Sequence, residues 1–239
     1  MYGRLFKTEL LKIKRKWVWF LIFLGPFGVI AMETLNFVLR YDYLTKQYAG
    51  HLWGGLFQAI GFLVPPVIIL GMAIIISILA NIEHANASWK QLLAAPVRKR
   101  QVFLVKFALG WLLLLVSCVL LMIGALILGL ALGFGTDIAW KPLLVTSFYP
   151  YLAAMPILAF QIWLAIVYKN QGVALTTGIL ASVFSMYGVV MPDWVPLAWP
   201  SLQTHWSNPV MNVWLGIGLA FCILMIGTVD FVRRDVHSG

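Results

Sequence analysis

The stretch EHANASWKQLLAAPVRKRQVFLVK, residues 83–106, is the longest polar interruption in a chain that is otherwise nearly all apolar. It holds five of the seventeen lysines and arginines. Asn86 and Ser88 precede a short amphipathic segment at residues 89–93, and Pro96 closes it. A short helix with one apolar face and no core of its own needs a surface to dock against. We therefore expect this stretch to meet a soluble partner in the cytoplasm, while the rest of the chain lies in a membrane.

The composition excludes an ordinary soluble domain. Of the residues, 62% are hydrophobic and only 10% are charged, whereas soluble domains carry about 25% charged residues. Apolar runs near the ~20 residues that cross a hydrocarbon core recur along the whole chain. The longest loops have roughly 20 to 24 residues, too few for a soluble domain of about 50. The sequence thus predicts an all-α polytopic membrane protein, with residues 1–239 forming a single transmembrane domain.

The predicted organisation begins with a basic amphipathic helix at residues 1–16, which carries six basic residues and one acid. Such a helix lies on an anionic leaflet, and no signal-peptidase site follows it. Residues 192–212 combine four prolines with three tryptophans, which is typical of a re-entrant or interfacial outer segment. The six predicted spans cover about 17–39, 53–82, 103–134, 143–168, 171–191 and 213–232.

The distribution of positive charge predicts which side of the membrane each loop occupies. With the N-terminus in the cytoplasm, inner segments hold fourteen of the seventeen lysines and arginines. The outer segments hold three, namely Arg40, Lys46 and Lys141. Because positive residues concentrate on the cytoplasmic side, this bias predicts six spans with both termini inside. The net charge of +9 is therefore a signature of topology, and we expect no nucleic-acid partner.

Several residues within the spans are candidates for a transport path. Glu33 lies well inside the first apolar run, where a carboxylate is costly and often functional. A position near the lipid headgroups or a hydrogen bond to a neighbouring helix would explain it equally well. Pro65 and Pro66 interrupt the second span, as helix breaks along transport paths do, although many such breaks are structural kinks. The outer segment adds three possible substrate contacts, Trp194, Trp199 and Trp206.

Two further patterns concern packing. Ala125, Gly129 and Gly133 form a small-residue ladder suited to close helix contact. Pro150 and Pro156 predict an irregular outer half of the fourth span.

Catalytic and metal-binding motifs are absent from the sequence. It contains no phosphate-binding loop, H-E-x-x-H pair or nucleophile elbow. Cys118 and Cys222 lie in apolar runs, and the four histidines are scattered over separate loops and tails. We therefore expect no catalytic residue, no metal site and no cofactor in this chain. Energy for uphill transport would have to come from another protein.

The order of these features resembles the permease subunit of a type-2 ABC exporter. Members begin with a basic amphipathic helix and close with an aromatic-x-R-R-D sequence, here residues 231–235. Between spans two and three they carry a connector of the form E…WK-x-LL-x-x-P-x-R…K. Here the matching residues are Glu83, Trp89, Lys90, Leu92, Leu93, Pro96, Arg98 and Lys106. Chain length and motifs are most similar to permeases of lantibiotic immunity and bacitracin resistance.

The resemblance implies a set of roles. Residues 86–94 would be the coupling helix in a groove of a separate ABC ATPase, with Trp89, Leu92 and Leu93 as apolar anchors. Residues 98–100 would contact lipid phosphates or acids of the ATPase. Two ATPase copies would hold ATP and Mg²⁺, and a second permease subunit, the same chain or a sister chain, would complete the assembly. Spans two and five would line the path of a peptide substrate through the bacterial cytoplasmic membrane.

Other functions remain compatible with the same residues. An ABC permease for lipid, sodium or another peptide has no distinguishing sequence motif, because an apolar path carries no readable pattern of donors and acceptors. A non-transporting scaffold or regulatory subunit is a second alternative. An intramembrane peptidase is a third, but it needs paired His or Glu residues at mid-membrane, and only Glu33 is available.

Overall fold

The computed structural model describes residues 2–14, 17–85, 99–168, 170–206 and 208–233. Within these ranges the chain forms helices and turns, with no strand. In chain order the α-helices are α1 (Tyr2–Ile13), α2 (Val18–Leu39), α3 (Tyr41–Gln47), α4 (Leu52–Ala85), α5 (Lys99–Ala131), α6 (Trp140–Ala153), α7 (Met155–Val167), α8 (Gln171–Ser185) and α9 (Pro209–Arg233).

Five helical stretches in the described ranges are long and apolar enough to cross a membrane. They are α2, most of α4, α5, the pair α6 and α7 taken together, and α9. This confirms the all-helical, multi-pass architecture. The fifth predicted span, 171–191, is a shorter helix than expected, because α8 ends at Ser185 and residues 186–190 form turns. A sixth span therefore stays a prediction.

The other spans fall close to their predicted bounds, with informative differences at the ends. The long helix α4 continues to Ala85, and α5 begins at Lys99, so both helices extend further towards the 86–98 segment than the spans predicted at 53–82 and 103–134. Helix α9 begins at Pro209, because proline is well tolerated in the first turn of a helix.

Helix α4 lies at the centre of the fold and packs against α2, α5, α6, α7 and α8. Its most buried residues include Leu56, Ile69, Met72 and Ala73. The partner that it contacts most extensively is α8. This arrangement places the second predicted span, the one that leads into residues 86–98, in contact with most of the other membrane helices.

The prolines of α2 and α4 do not end their helices. Pro26 lies inside α2, and Pro65 and Pro66 lie inside α4. Proline removes one backbone donor and so leaves the carbonyl four residues earlier without its helical partner. The interruption predicted at Pro65–Pro66 is therefore a local loss of hydrogen bonds within a continuous helix.

A real break divides the fourth span in its middle. It falls at Ala154, between α6 and α7, and Pro156 lies at the start of α7. The irregularity predicted from Pro150 and Pro156 is therefore confined to this one break, and the half that follows the 132–139 loop is otherwise a regular helix. Gly216 of α9 packs against this break: a Cβ atom there would lie 2.7 Å from the carbonyl oxygen of Ala153. The two backbones approach this closely because residue 216 has no side chain.

Candidate functional site

The predicted ATPase-coupling residues fall mostly outside the described residues. This applies to Trp89, Lys90, Leu92, Leu93, Pro96 and Arg98, and to the side chain of Glu83. The structure does describe the two helices that flank them, since α4 ends at Ala85 and α5 begins at Lys99. The roles of these residues stay predictions, whereas the contacts of the two flanking helices can be described.

A buried ion pair joins α1 to the flanking helix α5. Lys106 Nζ lies 3.2 Å from Glu9 Oε2, and the Lys106 and Glu9 side chains are 5% and 4% exposed. Lys12, one turn further along α1, places its ammonium 2.6 Å from the other oxygen of Glu9. Ile13 is buried on the same face as Glu9. Helix α1 covers most of the predicted amphipathic helix at residues 1–16, but its inward face includes a carboxylate, and Leu11 is 65% exposed.

The sequence reasoning did not single out Glu9 as functional. A usable signal was present, because Glu9 and Ile13 are four residues apart and thus share one face of the helix. Residues 1–16 hold six basic residues and a single acid, and that acid lies on the apolar side of α1. A carboxylate in such a position needs a buried partner.

At the same end of the bundle, α9 is tied to α5 and α7. Trp163 Nε1 donates a hydrogen bond to Asp230 Oδ2 at 2.9 Å. The rings of Phe103 and Phe231 lie 6.2 Å apart. A Cβ atom on Gly227 would meet Phe103 at 3.0 Å. Asp230 thus accepts a hydrogen bond from a neighbouring helix at the end of α9.

Helices α4 and α8 pack closely where Gly178 faces Ala73. A Cβ atom on Gly178 would lie 2.1 Å from the Cβ of Ala73. With its amide oriented to satisfy both partners, Gln161 of α7 donates to the Ala174 carbonyl at 2.9 Å and accepts from the Gly178 N–H at 3.0 Å. Three helices that include the predicted path-lining spans therefore meet here without a gap.

The proline pair of α4 faces a hydroxyl of α8. Ser182 Oγ donates a 2.7 Å hydrogen bond to the Pro66 carbonyl. Ser182 is 7% exposed, so this bond forms inside the bundle. The carbonyls that lose a helical partner to Pro65 and Pro66 are those of Gly61 and Phe62, so the Ser182 bond ties α8 to α4 beside the proline pair and does not replace a lost helical bond. A contribution to a transport path stays a prediction.

Glu33 lies on the inward face of α2, together with Val29 and Phe37. It is 4% exposed and accepts a hydrogen bond from Asn36 Nδ2 at 3.1 Å. The hydrogen-bonded alternative therefore has a specific partner, although that partner is on the same helix and not on a neighbour. Substrate contact by Glu33 stays a prediction.

Residues 186–206, with Trp199–Ser201 in a 3₁₀ turn, form a folded segment that we call the outer cap. Trp199 is 5% exposed and its Nε1 donates to the Asp193 carbonyl at 2.7 Å. The Asp193 carboxylate accepts from the backbone N–H of His205 at 3.1 Å. Trp206 packs against Trp199, with ring centroids 6.5 Å apart. Only Trp194 of the three tryptophans is well exposed, at 75%.

Two small cavities lie between the helices. One, of about 20 Å³, is bordered by Pro26, Val64 and Cys118, and another, of about 10 Å³, is bordered by Ile76, Lys106 and Ile162. Each has room for at most about one water molecule. Neither is wide enough for a peptide.

The comparisons with known proteins bear on the whole arrangement. A family model described as "ABC-2 family transporter protein" matches residues 5–188. The matched range runs from α1 through α8 and includes the 86–98 segment. No curated protein and no solved structure gives a significant match. The chain therefore belongs to the ABC-2 transporter family, as a multi-pass integral membrane protein of the bacterial plasma membrane.

Proposed function

We propose that this chain is the permease subunit of an ATP-driven exporter that expels an antimicrobial peptide, of the lantibiotic or bacitracin type, for immunity or resistance. The observation that carries the transport part is the family match over residues 5–188. The proposal of a peptide substrate is supported by the resemblance to immunity permeases and by the aromatic outer cap. An exposed indole at the outer surface, such as Trp194, suits an amphipathic peptide because the ring is apolar while its N–H is polar.

ATP hydrolysis in this proposal takes place on two copies of a separate ABC ATPase, which hold ATP and Mg²⁺. Closure of the ATPases pushes on residues 86–94, and α4 and α5 carry the movement into the bilayer. These are the two longest described helices, with 34 and 33 residues. At 1.5 Å per residue each is about 50 Å long, roughly 20 Å more than the hydrocarbon core. This excess length supports a projection towards a partner outside the membrane.

A second permease subunit, identical or a sister chain, completes the path. The outward surface of α8 supports this part, because Leu180, Val183 and Phe184 are each more than half exposed. In the bilayer such a face meets either lipid or another apolar helix.

Six spans with both termini in the cytoplasm complete the proposal. Helix α8 has 15 residues, which gives about 22 Å against a core of ~30 Å. The turns at 186–190 continue the apolar stretch with Tyr187, Val189 and Val190. The helix and these turns together supply enough apolar length for a sixth crossing.

The test is resistance to peptide in cells that lack the partner ATPase. We expect resistance to disappear while this protein still accumulates in the membrane. A matched strain carrying an ATPase that cannot bind ATP should behave in the same way. Resistance that survives both changes would exclude a coupled permease.

The alternatives give different results in the same system. A permease for lipid or sodium would show ATPase activity that peptide does not stimulate in a reconstituted complex. A non-transporting scaffold would show peptide-independent hydrolysis and no movement of any substrate.

A further inference from the structure

Two charged side chains are buried at the contact between α1 and α5, although apolar side chains could fill the same space. Glu9 and Lys106 are each 4% exposed, and they form an ion pair between α1 and α5. Phe6 and Leu10 pack against the hydrophobic core and Ile13 is fully part of it. The helix thus already has apolar side chains with which to dock on α5.

A buried ion pair contributes differently to the stability of a helix contact and to the relative position of the two helices. Taking two charges out of water costs about as much as their attraction returns, so an apolar pair of similar volume often stabilises a fold equally well. A charge pair, however, fixes the register of two elements, because any displacement separates the two charges at low dielectric. The Glu9–Lys106 pair therefore adds little to folding that Ile13 could not supply, but it does restrict sliding of α1 along α5.

The position of the pair adjoins the 86–98 segment. Lys106 lies two turns after the first residue of α5, Lys99. It also borders the small cavity formed with Ile76 and Leu79 of α4 and with Ile162 of α7. The ammonium group thus lies where α1, α4, α5 and α7 converge.

We infer that Glu9 and Lys106 are positioning residues that make α1 move as one body with the α4–α5 pair when the 86–98 segment is pushed. Helix α1 then acts as part of the coupling machinery, beyond any role in holding the chain to the membrane surface. This inference rests on the proposed function for its transport consequence. The geometric part, that the charge pair holds α1 in a single register, is independent of it.

The test compares variants that remove the charge without leaving a buried ion unpaired. The double substitution Glu9→Gln with Lys106→Met keeps the side-chain volumes and removes both charges. Lys106→Arg keeps the positive charge. Lys14→Met removes an exposed charge from the residue that follows α1 and serves as the matched control.

In complexes reconstituted with the ATPase, peptide transported per ATP hydrolysed is the first readout. We expect the neutral double variant to lose roughly five-fold or more, the usual size of a coupling between two sites, with an unchanged thermal unfolding midpoint. Lys106→Arg and Lys14→Met should stay near wild type. Wild-type coupling in the neutral double variant overturns the inference. So does a loss that comes with poor accumulation or a lower midpoint, because the pair would then act only in folding.

The second readout does not depend on transport. Spin labels at Lys14→Cys, directly after α1, and at Arg100→Cys on α5, both exposed positions, are introduced with Cys222→Ser and report the distance between the two helices. We expect one narrow distance distribution for the wild-type pair and for Lys106→Arg, and a broad one for the neutral double variant. Equal distributions overturn the inference. Narrow wild-type distances in a complex that shows no peptide-stimulated hydrolysis would instead exclude the proposed function alone.

Discussion

At Gly178 a single missing methyl group decides how closely α4 and α8 approach. A Cβ atom there would lie 2.1 Å from the Ala73 side chain and 3.2 Å from its Cα. No side-chain rotation can relieve these two contacts, because the Cβ and Cα atoms of Ala73 are both fixed by the backbone of α4. The helices would have to separate.

Gly178→Ala is therefore expected to destabilise the protein by about 1–3 kcal/mol, the usual cost of overpacking a tight contact. The measurement is the thermal unfolding midpoint in detergent. Gly28→Ala is the matched control, because a Cβ atom there has no neighbour within 4 Å. Alanine also favours a helix over glycine by about 1 kcal/mol, so the control should be neutral or stabilising. Equal midpoints for the two variants would contradict the close crossing.

Trp89→Ala with Leu92→Ala tests the predicted coupling segment. We expect ATPase activity to persist while peptide resistance is lost, because the variant removes the apolar side chains predicted to dock on the ATPase. The double variant Trp140→Ala with Leu144→Ala removes the same residue types from exposed positions on α6 and should leave resistance intact. Normal resistance in the first variant would mean that residues 89–93 do not transmit the movement.

Sequence reasoning found individual polar residues more easily than their partners. Glu33 stands out because its charge interrupts an apolar run, but its bond to Asn36 depends on side-chain rotamers. Glu9 and Lys106 are 97 residues apart, and only the packing of α1 on α5 brings them together. A single sequence does not show which residues far apart along the chain lie close together in the fold.

At the scale of elements, the outer cap has two kinds of tryptophan. Trp199 is buried and hydrogen-bonded, whereas Trp194 is exposed. Trp199→Ala should cost about 3–5 kcal/mol through the cavity that it leaves and reduce accumulation of the protein. Trp194→Ala should keep the unfolding midpoint and reduce peptide resistance. If Trp194→Ala cells resist peptide normally, the exposed indole is not a substrate contact.

Helix existence was predictable, because runs of apolar residues long enough to span a bilayer have no other solution. Helix interruptions were not. The proline pair in α4 leaves the helix continuous, while the fourth span breaks at Ala154, an alanine between two prolines. Gly216 permits α9 to pack directly on that break. The presence of a proline alone therefore does not predict where a helix is interrupted.

For the whole molecule, reporter fusions can measure on which side of the membrane each loop lies. We expect alkaline phosphatase inserted after Asp137 or Gln203 to be active, because both positions would lie outside, and a green fluorescent protein after α9 to fluoresce in the cytoplasm. A phosphatase inserted after residue 169 should be inactive and is the control. If α8 did not cross, residue 203 would be inside and the fluorescent fusion outside. The phosphatase inserted after Gln203 would then be inactive, and the green fluorescent protein would not fluoresce.

The Ala73–Gly178 contact divides α4 into unequal arms. From Ala73 to Ala85 the helix measures about 18 Å, and from Ala73 back to Leu52 about 32 Å, at 1.5 Å per residue. Under the proposed coupling mechanism, α4 pivoting at this crossing would move its Leu52 end almost twice as far as its Ala85 end. A small displacement beside residues 86–98 would then become a larger displacement, with less force, at the other end of the helix.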